Sequence, residues 1–129
     1  VRTNIVAHAA VALAIAACGC AHHDANPQVM ADETTRGVYD ADYGRTTEHF
    51  DAALKLQVTR ATIGQLSDQM HALGAYRGLK PATSDPDKGR YDYEAAFDKG
   101  TMLVELRLDP TQKIGAYRVV PQSSSAPAR

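Results

Sequence analysis

Residues 90–108 read RYDYEAAFDKGTMLVELRL, and the alternation in this stretch limits the possible fold more than any other feature of the chain. In its first half Tyr91, Tyr93, Ala95 and Phe97 share one parity, and Arg90, Asp92 and Glu94 share the other. In its second half the parity reverses, so that Met102, Val104, Leu106 and Leu108 form the apolar set. A period of two, with one apolar and one charged side, predicts two half-buried antiparallel strands. Both apolar sets reach one side of a sheet only if the hairpin loop holds an even number of residues. Pairing Phe97 with Met102 meets that condition and sets Tyr93 opposite Leu106 and Tyr91 opposite Leu108. On the wet side the same register opposes Asp92 to Arg107 and Arg90 to Asp109, with Glu94 against Glu105 as a small penalty. The apolar side then needs a cover.

The N-terminal half supplies it. Asn26-Pro27 reads as a cap followed by proline at the first helical position, opening a helix to about Tyr39 whose end Gly37 weakens. Tyr43 to Leu56 reads as a second helix. Thr59 caps a third, in which Ile63, Leu66, Met70 and Leu73 share a face and Gly74 forms the stop. Ser67 reads as lying on its exposed side. After Gly74 the period changes to two, and Ala75 to Ala82 forms a strand interrupted by Pro81. Two Asp-Lys-Gly turns, at 87–89 and 98–100, bracket the strand 90–97. Asp109-Pro110-Thr111-Gln112 is a further turn, and Lys113 to Val120 the last strand. Its inward set is open between Gly115, Tyr117 and Val119 on one parity and Ile114, Ala116 and Val120 on the other. The expected class is α+β, with about three N-terminal helices packed on a four-stranded antiparallel sheet.

The beginning of the chain has a different character. Val1-Arg2-Thr3-Asn4 is a cationic lead, and Ile5 through Ala17 is apolar apart from His8. As a helix such a run rises about 20 Å, short of the roughly 30 Å hydrocarbon core, which favours a secretory signal over a spanning anchor. It ends Ile15-Ala16-Ala17-Cys18, which resembles the lipobox of bacterial lipoproteins. That resemblance implies cleavage before Cys18 and lipidation of its sulfur and new amine. More than one fatty chain gives a firm anchor. Gly19 after the cysteine, rather than Asp, resembles cargo sent to the outer membrane, facing the periplasm. The expected organisation is a signal peptide at 1–17, a tether at 18–25, one domain at 26–121 and a small polar tail at 122–129. Cys18 and Cys20 are the only cysteines, so no internal disulfide braces the domain.

The segments DADYGRTTEHFDAALKLQVT, ATIGQLSDQMHALGAYRGL and YEAAFDKGTMLVELRLDPTQKIGAYRVVP occur in the order helix, long helix ending at glycine, then closing hairpins. Over about Asp40 to Pro121 this resembles the bacterial domain-of-unknown-function family 3887. The resemblance implies a small cone of the nuclear transport factor 2-like kind, a curved sheet wrapped against helices with a pocket in its concave face. The family carries no agreed catalytic residues.

Charge excludes one class of partner. The 14 basic and 15 acidic side chains are interspersed and leave a net charge of −1, so nothing marks a nucleic-acid site. There is no Gly-x-Ser-x-Gly motif and no phosphate loop, and Ser84 stands four residues from Lys88 rather than three. Cys20, His22 and His23 offer a thiolate and two imidazoles on the tether, but no fourth ligand is positioned, so neither metal nor other cofactor is expected. Relatives of the cone fold include isomerases and hydratases that use a Tyr with an Asp or His. Asp42, Tyr43 and His49 form such a set if the second helix lines a cavity, provided that a carboxyl or imidazole is buried there. The plainer reading makes Asp42 a helix cap and Tyr43 a core aromatic with its hydroxyl at the rim. Six tyrosines in a short chain favour an interface, and cone folds dimerise through the open sheet face, where Leu103 is a contact candidate. The expected role is non-catalytic binding of a small molecule, an envelope protein or a second copy. The alternative is a small isomerase- or hydratase-like enzyme.

Overall fold

The computed structural model describes residues 25–122. Helix α1 spans Pro27–Tyr39, and the Asn26 side chain caps it by accepting from the Gln28 and Val29 amides. Three shorter or similar helices follow: α2 (Tyr43–Thr47), α3 (Ala52–Gln57) and α4 (Arg60–Ala72). Strands β1 (Tyr76–Asp85), β2 (Arg90–Phe97), β3 (Gly100–Leu108) and β4 (Ile114–Pro121) then form one antiparallel meander in sequence order. The α+β class and the four-stranded sheet match the sequence pattern. Tyr93, Ala95, Phe97, Met102, Val104, Leu106 and Leu108 are all buried on one side, beneath Met30, Ala31 and Val38 of α1 and Met70 of α4.

The second helix expected over Tyr43 to Leu56 is two helices. Thr46 and Thr47 turn their hydroxyls back onto the Asp42 and Tyr43 carbonyls, which weakens the helical ladder there. Phe50 then leaves the helix and forms a parallel bridge with Ile114, closed by Ile114 N–H to His49 O at 2.8 Å and Asp51 N–H to Ile114 O at 2.9 Å. The Asp51 carboxylate starts α3 afresh by accepting from the Leu54 amide at 2.7 Å. Burial of Phe50 explains the break: a continuous helix would forgo this buried ring, and full burial of a Phe contributes roughly 1.5–3 kcal/mol. Leu56, by contrast, is 89% exposed.

The hairpin register differs from the expected one by two residues. Phe97 pairs with Gly100, Ala95 with Met102, Tyr93 with Val104 and Tyr91 with Leu106. The loop is Asp98-Lys99, two residues instead of four, so parity survives and Tyr93 and Leu106 still share the core face. The tight loop is held from outside the hairpin: the Asp98 amide donates to Ala75 O and the Lys99 amide to Leu73 O. The Asp98 carboxylate in turn accepts from Ala75 N–H at 3.0 Å and Arg77 Nε at 2.7 Å. On the wet face the shift replaces the expected Asp92–Arg107 pairing with Asp92 opposite Glu105 and Arg90 opposite Arg107.

The ambiguity in β4 has a structural cause. The β3–β4 register jumps between Arg107↔Ala116 and Leu108↔Ile114, leaving Gly115 as an extra residue. Parity flips across this bulge, so Ile114 from one set and Tyr117 and Val119 from the other all face the core. Pro81 and two register irregularities mark β1 as an edge strand.

Two glycines on helices have opposite roles. Gly37, which reads as a weak point of α1, is buried, and a β-carbon there would lie 2.6 Å from the Thr46 backbone nitrogen. It lets α1 and α2 touch. A β-carbon on Gly64 of α4 meets nothing within 4 Å. In urea denaturation, Gly37→Ala is expected to lose about 1–3 kcal/mol from overpacking. Gly64→Ala is expected to gain about 0.5–1 kcal/mol from helix propensity. Equal effects of the two changes would contradict this packing.

Candidate functional site

Helix α1 is tied to both edges of the sheet. From β1, the Tyr76 hydroxyl donates to Asp32 Oδ1 at 2.7 Å. From β4, the Tyr117 and Thr35 hydroxyls share a hydrogen bond of 2.8 Å. Asp32 also accepts from Arg36 Nε at 2.8 Å, and that guanidinium lies over the Tyr76 ring, 5.1 Å from its centroid. Burial first, then the bond to Asp32, pushes the Tyr76 phenol well above its ordinary range. Burial raises the Tyr117 phenol likewise, against a smaller opposing effect of Thr35. Both phenols therefore act as protonated clamps rather than as bases.

The expected acid–base set is not assembled. Asp42 caps α2 by accepting from the Arg45 amide at 3.0 Å and is exposed. Tyr43 lies under Arg60, whose guanidinium is 4.9 Å from the ring centroid, and its hydroxyl points to Lys55 O. His49 bonds Glu33 of α1 through Nε2 at 2.6 Å, and both side chains keep partial solvent contact. Every carboxylate and imidazole among the described residues is at least partly exposed. Ser67 does not lie on an exposed side: it is only 5% exposed, because the inward face of α4 is Ile63, Ser67 and Met70. Its hydroxyl donates to Tyr39 O at 2.8 Å, satisfying a carbonyl at the end of α1. His71 stacks on Tyr39 with ring centroids 4.0 Å apart.

Two surface regions meet at the hairpin end of the sheet. One is a groove of about 790 Å³ at the hairpin end of the sheet, lined by Ala72 and Leu73 of α4 and by Gly100, Thr101, Met102 and Pro121. The other is the second face of the sheet, opposite the helices. Register places Leu103 beside Val120 and Glu94, and Thr101 beside Ala96, on this face. Thr101 lines the groove as well, so the apolar half of the open face and the groove adjoin. Sequence reasoning named Leu103 from its parity but missed the groove, which is built from the ends of three elements distant in sequence.

Among the described residues no group of three His, Cys, Asp or Glu side chains is arranged to hold a metal ion. No helix among them is long and apolar enough to cross a membrane. Cys18, Cys20, His22 and His23 lie outside the described residues. In comparisons with known proteins, the chain matches no family model, no curated protein and no solved structure.

Alkaline stability tests the clamps. An unfolded tyrosine titrates near pH 10, whereas folded Tyr76 and Tyr117 hold their protons to higher pH. Their contribution is complete below about pH 10 and declines as pH rises beyond it, because the unfolded chain then releases protons that the folded chain retains. Tyr76→Phe is expected to cost about 0.5–1.5 kcal/mol at neutral pH and to flatten the loss of stability above about pH 10. Denaturation midpoints measured across that range check both effects; an unchanged alkaline slope would count against the clamp.

Proposed function

We propose that this chain is a lipid-anchored protein of the bacterial envelope, held to the outer membrane through Cys18, whose α+β domain binds an envelope protein or apolar small molecule without catalysis. The observation that carries the binding reading is the juxtaposition of the groove at Leu73, Met102 and Pro121 with Leu103 and Val120 on the uncovered sheet face. A groove of this size lies in the range that small ligands use, and its partly apolar lining suits an apolar guest. The acid–base alternative has less support, since its requirement is an enclosed carboxyl or imidazole. The lipobox at Ile15-Ala16-Ala17-Cys18 is the support for the anchor. The helix-then-meander order and the quoted segments support membership of the family 3887 group and a small cone of the nuclear transport factor 2-like kind. In that reading the open face also admits a second copy of the chain.

Two experiments test the two halves. Labelling with palmitate in cells is expected to mark the wild type and not Cys18→Ala, and the variant is expected to leave the membrane fraction; equal labelling overturns the anchor. Ala72→Arg and Leu103→Glu change exposed or half-exposed positions and are expected to keep the thermal midpoint within a few degrees. Each is expected to abolish cross-linked adducts formed by the wild type in the envelope. Adducts that persist in both variants would place the contact elsewhere and overturn the binding reading.

A further inference from the structure

We propose that Arg90 and Arg107, on the charged half of the open sheet face, form a subsite for a phosphate-class anion. The two residues are direct cross-strand partners. Such partners have α-carbons about 4.5–5.5 Å apart, so their side chains rise from the sheet side by side. Like charges in that arrangement are destabilising. Of the neighbouring acids two are engaged elsewhere, and the third, Asp92, stands on the same face without a salt bridge. Glu105 is engaged by Arg118 Nε at 2.7 Å, and Asp85, which stands opposite Arg90 on β1, is engaged by Lys88 at 3.2 Å. Among the described residues no carboxylate forms a salt bridge with either Arg90 or Arg107.

The shape of the surface agrees. A depression of about 160 Å³ lies over this part of the sheet, between Arg90, Arg107 and Arg118, with Asp92 and Glu105 on its wall. Ala116, the partner of Arg107 on β4, is small and leaves the depression open. Two guanidiniums offer paired N–H forks that match tetrahedral oxyanions. Three guanidiniums against Asp92 and Glu105 leave the depression one net positive charge, and a phosphate group has oxygens enough to meet both forks, whereas the two oxygens of a carboxylate fill one. The same acids, with Glu94 further along the face, oppose an extended polyanion, so the fit is to a single terminal phosphate group. That group belongs either to a soluble phosphate or to a lipid headgroup. This inference does not depend on the apolar groove or on the lipid anchor.

The test uses the full chain in neutral detergent. Inorganic phosphate is expected to raise the thermal midpoint saturably, by on the order of 5–10 °C at a tenfold excess over the dissociation constant. Sodium chloride of equal ionic strength is expected to give no such rise. Arg90→Gln and Arg107→Gln are expected to melt at or above the wild-type midpoint in chloride, since each removes the like-charge pair, and to lose the phosphate response. Lys80→Gln, an exposed cation elsewhere on the chain, is expected to keep it. A response to phosphate no greater than that to chloride overturns the proposal, as does a response retained in both arginine variants. Short-chain phosphatidic acid distinguishes the sources. A response at much lower concentration than inorganic phosphate assigns a lipid headgroup, and an equal response assigns a soluble phosphate; either supports the subsite.

Discussion

The structure depends on one helix, α1, being held by both edges of the sheet. β1 and β4 are the outer strands of a four-stranded meander, separated by three strand spacings, or about 14 Å in a flat sheet. Yet Tyr76 of β1 reaches Asp32 and Tyr117 of β4 reaches Thr35, one helical turn apart on the same helix. The two bonds hold α1 across the width of the sheet, with Ala31 and Val38 buried in the same core as Ala95 and Val104. Each clamp is also costly to lose, because the hydroxyls lie where water does not easily replace the missing partner.

With α1 held at both edges, the rest of the chain has local tasks. Helix α2 packs on α1 at the Gly37–Thr46 approach. Helix α4 closes one flank, where Ser67 satisfies Tyr39 O and His71 stacks on the Tyr39 ring. The Phe50–Ile114 bridge covers the start of β4, while Pro81 and irregular pairing protect the edge of β1 from adding a further strand. These interior polar groups are engaged with one another; Thr34 Oγ1 alone among the described residues is buried without a hydrogen-bond partner.

The parts of this arrangement that the sequence made legible are those set by local rules. Asn26, Thr59 and Gly74 bound α1 and α4 through side-chain caps and a left-handed glycine, and all lie within a few residues of what they terminate. Strand parity was legible because a buried face forces it. Register was not, because the two-residue loop at Asp98-Lys99 is fixed by Leu73 O and Ala75 O, acceptors that no hairpin pattern contains. The inward face of β4 was undecidable by parity alone because a bulge at Gly115 makes each parity correct on one side of it. The tyrosine clamps escaped for the same reason as the register: Asp32 and Tyr76 are 44 residues apart, and Thr35 and Tyr117 are 82 apart. Asp42, Tyr43 and His49 looked like a set because they are close in sequence, and proximity in sequence is what a cap at Asp42 and a helix break before Phe50 undo.

The charges on the outer face follow from the same non-local control. With the wider loop, Asp92 would have faced Arg107 and Arg90 would have faced Asp109, leaving Glu94 against Glu105 as the one like-charge opposition. The shorter loop brings Gly100 and Thr101 into the ladder and docks the turn on the end of α4, with two like-charge oppositions in place of one. One of these is relieved within the sheet, since Arg118 of β4 bonds Glu105. The other is not, since the residue that β4 places beside Arg107 is Ala116. The two guanidiniums beside this alanine thus stand together without a salt bridge to any carboxylate among the described residues. Exposed guanidiniums lower the penalty through solvation, so the fold tolerates the pair. Tolerance also leaves the space above Ala116 open between three guanidiniums, with Asp92 and Glu105 on its wall.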